Sequence, residues 1–239
     1  MLRVITMTAY RRPAYTREVL DALAKCDGIA DWILLPNVEP GNEEVIAAFR
    51  DWNACESRLL VHRERLGLCK NTHDAVFRAF QLRADVTVHL EDDTVPSPDA
   101  LHYFDWAVRE ILIPDVKSPD GHQILLASGY NKPKSEPRPD QSHDSATRPI
   151  WTPWGWAVDR SRLTFLIVNW CFRNKKCFTC PFRSQYRRTR REIFPILSRV
   201  QNIGYEQGEN NRTPQWYRTN HRTPWVANET QTHESWAMI

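Results

Sequence analysis

The fold is decided by one stretch of the chain, Val86-Thr87-Val88-His89-Leu90-Glu91-Asp92-Asp93, in which an apolar strand ends in three consecutive carboxylates. A strand that is apolar on both faces is typical of the buried centre of a parallel sheet. In open α/β sheets, ligands bind at the carboxyl ends of such strands. Because adjacent carboxylates repel one another, a bound cation would stabilise them, and oxygen ligands favour Mg²⁺ or Mn²⁺. The alternative is a solvated acidic turn without a ligand.

Strand-like and helix-like segments alternate around this stretch. Strands are predicted at residues 4–8, 32–38, 58–62, 86–90 and 124–128. Helices are predicted at residues 15–26, 43–52, 72–82 and 98–113, where apolar residues recur at helical spacing. A turn is predicted at residues 66–71, and Asn71 is expected to cap the helix that follows it. The alternation predicts the fold class: α/β, with a mostly parallel central sheet flanked by helices.

The second half of the sequence is less regular. Residues 131–149 are rich in Pro, Ser, Asp, Lys and Arg, which predicts a long mobile loop. A segment rich in Trp follows at residues 151–158, and then come a predicted helix at residues 161–172 and a basic, aromatic, irregular remainder. A chain of 239 residues is expected to form a single domain.

Composition places the chain among globular proteins. Hydrophobic residues make up 41% of it, and no run approaches the ~20 apolar residues of a membrane span. The N-terminal residues run into the first strand without the apolar core of a secretory signal, which favours a cytoplasmic protein. Reduced thiols at the six cysteines would fit that compartment. The alternative for some of them is a zinc site formed by Cys171, Cys177, Cys180 and His221.

Charge is distributed unevenly along the sequence. Residues 1–159 hold 18 Lys and Arg against 24 Asp and Glu, whereas residues 160–225 hold 14 against 3. Such segregation favours one basic face, which is either only solvated or binds a polyanion. Arginines interleaved with aromatic residues, as at residues 183–191 and 216–225, suit a nucleic-acid backbone with unstacked bases.

Three motifs together resemble one enzyme family. They are Val4-Ile5-Thr6-Met7-Thr8-Ala9-Tyr10-Arg11-Arg12-Pro13, Leu66-Gly67-Leu68-Cys69-Lys70-Asn71 and His89-Leu90-Glu91-Asp92-Asp93. This set resembles GT-A glycosyltransferases, closest to family 2 enzymes and to the N-acetylglucosaminyltransferase I type, whose Asp-x-Asp motif has the variant Glu-Asp-Asp. The resemblance implies sugar transfer from a nucleoside-diphosphate sugar such as a UDP-sugar to an acceptor hydroxyl, with Mn²⁺ or Mg²⁺ as cofactor. It also implies a nucleotide-sugar-binding half at residues 1–130 and an acceptor half at residues 131–239.

The resemblance further implies which residues form the site. Asp93 would bind the metal directly, and Asp92 would contact the metal, its bound water or the ribose. A cation there would stabilise the charge of the leaving diphosphate. Arg11 and Arg12 are planar cationic groups suited to phosphate. The donor-binding residues that the resemblance implies are Thr8, Tyr10, Arg11, Arg12, Glu39, Lys70, Asn71, Glu91, Asp92, Trp154, Gly155 and Trp156.

The catalytic base is left open by the sequence. In N-acetylglucosaminyltransferase I-like enzymes a carboxylate shortly after Gly-Trp takes the acceptor proton, whereas residues 163–170 of this chain contain no carboxylate. The candidates are Asp159, Glu206 and Glu209, and inversion and retention both stay open. Glu206 ends a stretch, residues 199–206, that resembles a late motif of bacterial and phage relatives.

The acceptor is predicted from the aromatic and basic residues. Trp151, Trp154 and Trp156 either stack on a sugar or base or pack in the core. A transferase with a basic face suits 5-hydroxymethylpyrimidine in DNA, as in phage-type DNA-modifying glycosyltransferases. The alternative acceptors are a glycan, a lipid-linked sugar and a protein. A further alternative is a nucleic-acid-binding protein or nucleotidyltransferase without sugar transfer.

Overall fold

The computed structural model describes residues 1–150, 154–170, 172, 186, 188–204, 215, 222–223, 225–227 and 236–239. Up to residue 128, helices alternate with single strands or pairs of strands, as the sequence predicts. Most of the described strands form one large sheet with helices on both faces, and two short strands form a second, two-stranded sheet. Within this part of the chain, no helix has the length and apolar character needed to cross a membrane.

The first part of the chain supplies five strands and three helices. Pro13 starts the first helix, and Asn42 caps the second by accepting the N–H of Val45 at 3.0 Å. The second helix buries Val45, Ile46 and Phe49 at helical spacing, as expected. The elements are β1 (Arg3–Ala9), α1 (Pro13–Leu23), β2 (Ile33–Val38), α2 (Glu43–Asp51), β3 (Glu56–Ser57), β4 (Leu60–Val61), α3 (Leu68–Gln81) and β5 (Val86–Glu91).

The rest of the described chain adds seven strands and two helices. The elements are β6 (Thr94–Pro96), α4 (Ala100–Trp106), β7 (Gln123–Ser128), β8 (Asp144–Pro149), β9 (Trp156–Asp159), α5 (Arg160–Val168), β10 (Arg190–Pro195), β11 (Val200–Asn202) and β12 (Ala237–Met238). The first of these helices continues as π-helical turns over Ala107–Leu112. Asp159 caps α5 by accepting the N–H of Arg162 at 2.6 Å.

The described strands of the large sheet have the order β12-β8-β10-β7-β9-β5-β1-β2-β3, with β4 also paired to β2. From β5 through β1 and β2 to β3 and β4 all pairs are parallel. β9 is antiparallel to both of its neighbours, β5 and β7, and β8 is antiparallel to β10. β10 and β7 are parallel. The predicted fold class, a mostly parallel central sheet flanked by helices, is therefore confirmed.

The core has one layer on each face of the sheet, and β5 contributes to both. Val86, Val88 and Leu90 are at most 1% exposed and pack in the layer that α1, α2 and α4 complete. His89 faces the other layer, where its ring contacts Trp156, which packs with α3 and α5. Since both faces of β5 are buried, the carboxylates that follow it are fixed in place by the strongest part of the core.

Two regions expected to be irregular contain strands. Residues 131–149, predicted as a long mobile loop, include a 3₁₀ turn at Pro139–Gln141 and the strand β8. The remainder predicted as irregular supplies β10, β11 and β12. Both predictions are wrong for one reason. β8 is polar and only partly buried, and it is a strand because β10 and β12, which lie far from it in sequence, pair with it.

The third predicted strand and the third predicted helix differ in detail from the structure. The strand is two short strands, β3 and β4, both paired to β2. The helix begins at Leu68, and its N-cap is Gly67, whose φ of 76° is easily adopted by glycine. Asn71 lies inside the helix, so the prediction that it caps the helix is wrong. Glu39 accepts the N–H groups of Leu66 and Gly67, the two residues of the turn that directly precede the helix.

The cysteines are not all reduced thiols. Cys26 and Cys55 are free, and burial raises the pKa of the Cys55 thiol to about 11. Cys69 is disulfide-bonded, so the prediction of reduced thiols throughout is wrong. The four residues of the zinc alternative lie outside the described part of the chain.

Removing one partner of a buried ion pair that lies outside the large sheet should destabilise the fold strongly. Arg199 is 1% exposed, and its Nε lies 2.9 Å from Asp99 Oδ2. Its other two nitrogens donate to the carbonyls of Leu197 and Ser142, each at 2.6 Å. Because Arg199→Ala would leave a buried carboxylate unpaired, we expect it to lower the free energy of unfolding by about 3–5 kcal/mol in urea titrations.

Arg17→Gln is the matched control for that variant. Arg17 pairs with Glu44 at 3.3 Å, and both side chains are more than half exposed. Its loss should cost at most about 1 kcal/mol. Equal effects of the two substitutions would contradict the importance assigned to Arg199.

His89 predicts how stability depends on pH. Burial lowers the pKa of its imidazole from 6.5 to about 3. At pH values between these two, the His89 imidazole is protonated in the unfolded chain but not in the folded chain. The free energy of unfolding therefore falls as the pH falls. We expect a slope of about 1.4 kcal/mol per pH unit from this group, measured as the difference between the native protein and His89→Gln in urea titrations. His122, which is only half-buried and directly precedes β7, is the control. The same slope in the difference between the native protein and His122→Gln would count against the assignment to His89.

Candidate functional site

The carboxyl ends of three neighbouring parallel strands form one edge of the sheet. Thr8 on β1 is paired in register with Glu91 on β5, and the carbonyl of Thr8 accepts the N–H of Asp92 at 3.1 Å. On the other side of β1, the N–H of Glu39 donates to the carbonyl of Ala9 at 3.0 Å. The sheet therefore brings together the loop after β1, Glu39 after β2 and the acidic residues after β5, as the sequence predicts.

Arg12 is the counter-ion of the acidic residues. Its Nη1 lies 2.5 Å from Asp93 Oδ2, and its Nη2 forms an ion pair with Asp92 Oδ1. The side chains of Asp92 and Asp93 are 5% and 8% exposed, and that of Arg12 is 16% exposed. The N–H of Tyr10 approaches the second oxygen of Asp92 at 3.4 Å. The loop after β1 thus supplies the positive charge that lets two buried carboxylates lie side by side.

The environment of this cluster changes the pKa of its members. Burial raises the pKa of Asp92 to about 6, although the charge of Arg12 opposes the rise. Burial, followed by the charge of Asp93, raises the pKa of Glu91 well above its ordinary value. Burial alone would lower the pKa of Arg12, but the charges of Asp93 and Asp92 outweigh it and raise that pKa. Three ionised carboxyl groups at this position would carry more negative charge than the single guanidinium group of Arg12 neutralises.

A second segment, which the sequence did not predict to contact Asp93, holds this carboxylate from the other side. Asn202, at the end of β11, donates from Nδ2 to Asp93 Oδ1 at 3.0 Å. The N–H of Ile203 donates to the carbonyl of Asp93 at 2.8 Å, and the N–H of Gly204 donates to Asn202 Oδ1 at 3.2 Å. A Cβ on Gly204 would lie 1.8 Å from Asp93 Oδ2, so only glycine permits this approach. The resemblance at residues 199–206 was the one sequence signal for this contact.

The donor set fits a hard cation in chemistry, although Arg12 lies among its oxygens. Glu91, Asp92 and Asp93 offer carboxylate oxygens, the ligands that a hard cation prefers. Glu91 Oε1 is buried without a hydrogen-bond partner among the described residues. Within that part of the chain, no group of three or more His, Cys, Asp and Glu side chains is arranged to hold a metal ion. Direct binding of a metal by Asp93 and Asp92 therefore remains a prediction, and it requires Arg12 to give up part of its contacts.

Glu39 and Asn71 have well-defined partners in the structure. Glu39 is 3% exposed, and its two oxygens each accept a backbone N–H, from Leu66 and from Gly67, at 2.8 Å. Asn71 is 3% exposed, donates to the carbonyl of Asn37 at 3.3 Å and lies 3.1 Å from the Nε2 of His62. Both residues hold the turn between β4 and α3 against β2. Their contact with a nucleoside remains a prediction.

Exposed basic side chains surround the same edge of the sheet. The guanidinium group of Arg65 lies 4.5 Å from the centroid of the Tyr10 ring, and that of Arg11 lies 5.6 Å from it. Lys70 is exposed in the first turn of α3. Because stacking on an aromatic ring leaves the guanidinium nitrogens able to donate, this rim suits a phosphorylated ligand.

The aromatic segment divides between the core and the site. Trp156 is 7% exposed, and its ring lies 5.3 Å from that of His89, so its predicted contact with the donor does not fit. Trp154 is only partly buried and meets the Tyr130 ring edge-on at 4.9 Å. Gly155 has a φ of 59°, and a Cβ there would lie 2.9 Å from Val200. Trp154 therefore remains a candidate for a sugar contact, and Trp151 lies outside the described residues.

Only one of the three candidate bases has a described position, and that position is unsuitable. Asp159 is paired in register with Val86, at the opposite end of β5 from Glu91. Both of its oxygens are bound by Arg162, one by the backbone N–H at 2.6 Å and the other by the guanidinium group at 2.5 Å. Asp159 is thus a helix cap. The other two candidates, Glu206 and Glu209, lie outside the described residues.

Comparison with solved structures identifies the fold. No family model and no curated protein matches the sequence. S. aureus TarS 1-349 in complex with UDP-GlcNAc matches with a TM-score of 0.54 at 11% identity, over 83% of this chain and 58% of that chain. TarS 1-349 in complex with UDP gives 0.51 at 12% identity, over 84% and 60%. This chain has the GT-A fold.

The match covers only part of the solved structures. A mannosyltransferase, PcManGT from Pyrobaculum calidifontis in complex with GDP-Man and Mn²⁺, has a TM-score of 0.45 at 18% identity, over 69% of this chain and 46% of that chain. This chain therefore spans at most 60% of the length of these three structures. Fold alone does not assign an activity, which has to be argued from the site.

Proposed function

We propose that the protein is a glycosyltransferase that moves a sugar from a nucleoside-diphosphate sugar to an acceptor hydroxyl. One observation carries the proposal: the carboxylate cluster of Glu91, Asp92 and Asp93, with Arg12 against it, follows the central strand at the edge where GT-A sheets bind their donor. Burying three carboxylates at the end of a strand that is itself buried on both faces is costly, so a purely structural role would not account for them.

The residues of the loop after β1 and of the start of α3 would bind the donor. Arg11, Arg12 and Lys70 offer positive charge to the diphosphate, and Tyr10 offers an aromatic face. In this proposal Glu39 and Asn71 set the floor of the nucleoside pocket by fixing the turn at residues 66–67. Thr8 acts through its carbonyl, which positions Asp92.

Asp93 and Asp92 would hold a divalent cation, Mn²⁺ or Mg²⁺. When bound, such a cation supplies positive charge to the diphosphate as it leaves the anomeric carbon. Asn202 donates to the Asp93 carboxylate, and the N–H of Gly204 in turn holds the side chain of Asn202, so the carboxylate keeps one orientation, which a metal ligand requires.

Glu206 is the proposed general base. The described chain reaches Gly204 in contact with Asp93, two residues before Glu206 in the sequence. A carboxylate carried by this segment would take the proton of the acceptor hydroxyl as the oxygen attacks the sugar. Asp159 is no longer a candidate, because Arg162 binds both of its oxygens at the far end of β5.

DNA containing 5-hydroxymethylpyrimidine is the acceptor that we favour. The support is the charge of residues 160–225, with 14 basic against 3 acidic side chains. Arg188 is exposed directly before β10, and Arg190 begins that strand. Several arginines on one segment suit the phosphates of a nucleic acid. A glycan, a lipid-linked sugar or a protein would use the same donor site with a different acceptor surface.

The first experiment measures nucleoside diphosphate release from a panel of nucleotide sugars with Mn²⁺, with and without DNA that contains 5-hydroxymethylpyrimidine. We expect release that this DNA stimulates and that a chelator abolishes. Asp93→Asn should reduce it at least about 100-fold, because a lost direct ligand costs no less than a lost second-shell contact.

Asp140→Asn is the control for Asp93→Asn, since Asp140 is exposed and pairs only with Arg138 among the described ion pairs. Release that ignores DNA would keep the transferase and direct the search to glycan, lipid-linked or protein acceptors. If no donor is cleaved but DNA is bound, the nucleic-acid-binding alternative replaces the proposal.

Asn202 predicts the effect of the second segment on catalysis. Asn202→Ala removes the hydrogen bond to Asp93 Oδ1 and frees the carboxylate to rotate. We expect donor turnover to fall about 10–100-fold, as for other changes to residues that orient a metal ligand.

Gln201→Ala is the matched control in the same strand. The side chain of Gln201 exchanges hydrogen bonds with the backbone of Thr223, so its removal perturbs β11 without touching Asp93. Equal loss of turnover in the two variants would mean that Asn202 acts only through the stability of β11.

A further inference from the structure

Arg12 is tied to the acidic cluster through its side chain and to the fold through its backbone. The carbonyl of Arg12 accepts both the N–H and the Oγ1 of Thr16, at 2.9 and 3.0 Å, at the start of α1. Its guanidinium group, by contrast, is the most exposed side chain of the cluster formed with Asp92 and Asp93. The backbone is thus fixed where the loop enters the helix, whereas the guanidinium group is the part of the cluster nearest to solvent.

The oxygens that Arg12 occupies are the ones that a divalent cation would need. Arg12 binds one oxygen of Asp92 and one of Asp93, and Asn202 binds the other oxygen of Asp93. A cation and a guanidinium group cannot share the same lone pairs at full strength, so the two compete for the cluster. Glu91 Oε1 is buried without a hydrogen-bond partner among the described residues, so Arg12 does not satisfy every oxygen of the cluster.

The diphosphate of a donor offers Arg12 another partner. A guanidinium group binds phosphate in a two-pronged manner at least as well as carboxylate. We infer that Arg12 exchanges between the carboxylate cluster and the diphosphate, so that metal and nucleotide bind together and each strengthens the binding of the other. This inference rests on the proposed function for the identity of the ligand, and it adds a coupling device that the carboxylates alone would not provide.

The inference has a quantitative form. If bound nucleotide removes a competitor of the metal, the Mn²⁺ affinity must rise when nucleotide is present, and the nucleotide affinity must rise by the same factor when Mn²⁺ is present. Direct contact between phosphate and metal also contributes to this increase in affinity, and an Arg12 variant retains that contribution. The part that belongs to Arg12 is therefore seen in the Mn²⁺ affinity of the protein without nucleotide.

The test measures Mn²⁺ binding to the full chain by electron paramagnetic resonance of the free ion, without nucleotide and with saturating UDP or GDP. For Arg12→Ala we expect Mn²⁺ to bind about 5–50-fold more tightly than to the native protein when nucleotide is absent, within the usual range of coupling between two ligands. The enhancement of Mn²⁺ binding by nucleotide should shrink by a similar factor. Arg12→Lys keeps the charge but cannot bridge two carboxylates. Its Mn²⁺ affinity without nucleotide should therefore lie between those of the native protein and Arg12→Ala.

Arg17→Gln is the control, because it removes one positive charge from α1, the helix that follows Arg12, and the partner of Arg17, Glu44, is exposed. Circular dichroism shows whether each variant is folded, and Arg12→Lys replaces Arg12→Ala if the latter is not. Unchanged or weaker Mn²⁺ binding in the folded Arg12 variants would overturn the inference, even if sugar transfer is found. Tighter binding without any sugar transfer would support the competition and reject the proposed activity instead.

Discussion

Repulsion among three successive carboxylates is the constraint on which the site depends. Burying Asp92 and Asp93 at the end of β5 is tolerable only because a guanidinium group contacts them on one side and an amide donor contacts Asp93 on the other. Arg12 comes from the loop after β1, and Asn202 comes from β11, more than 100 residues later in the chain. The same few oxygens therefore join the first strand of the protein to one of its last.

The second of these contacts is held in place by packing away from the carboxylates. Val200 fits where two glycines, Gly129 and Gly155, leave no Cβ in its way. One residue earlier, Arg199 is anchored by Asp99, so the short ladder of β11 and β6 has little freedom to shift. Precision at the site is thus supplied by side chains that touch no ligand, which is the usual arrangement for a site that must hold charge in a fixed geometry.

The sequence was sufficient for the parts of the fold that local pattern governs. Apolar strands and amphipathic helices up to β7 were predicted correctly in type, except that β6 was not predicted and the third strand is two short strands. The meeting of Arg12, Glu39 and the carboxylates at one edge was implied by the resemblance to GT-A enzymes and not by local pattern. The sequence failed for β8 and β10, which are strands because they pair with each other across a long separation. It also could not assign roles to side chains. Trp156 was a candidate for donor binding, yet it packs in the core. Asp159 was a candidate base, yet it is bound by Arg162.

The position of β10 between β7 and β8 has a consequence for the order of folding. The strands up to β5 can assemble from contiguous chain, but β7 has no parallel neighbour until residues 190–195 have been synthesised. Until then one edge of an apolar strand stays open, and open edges favour association between nascent chains. Arg148 on β8, which precedes β10 in the chain, is a charged side chain of the kind that discourages such pairing. This charge acts before β10 completes the sheet and independently of any ligand.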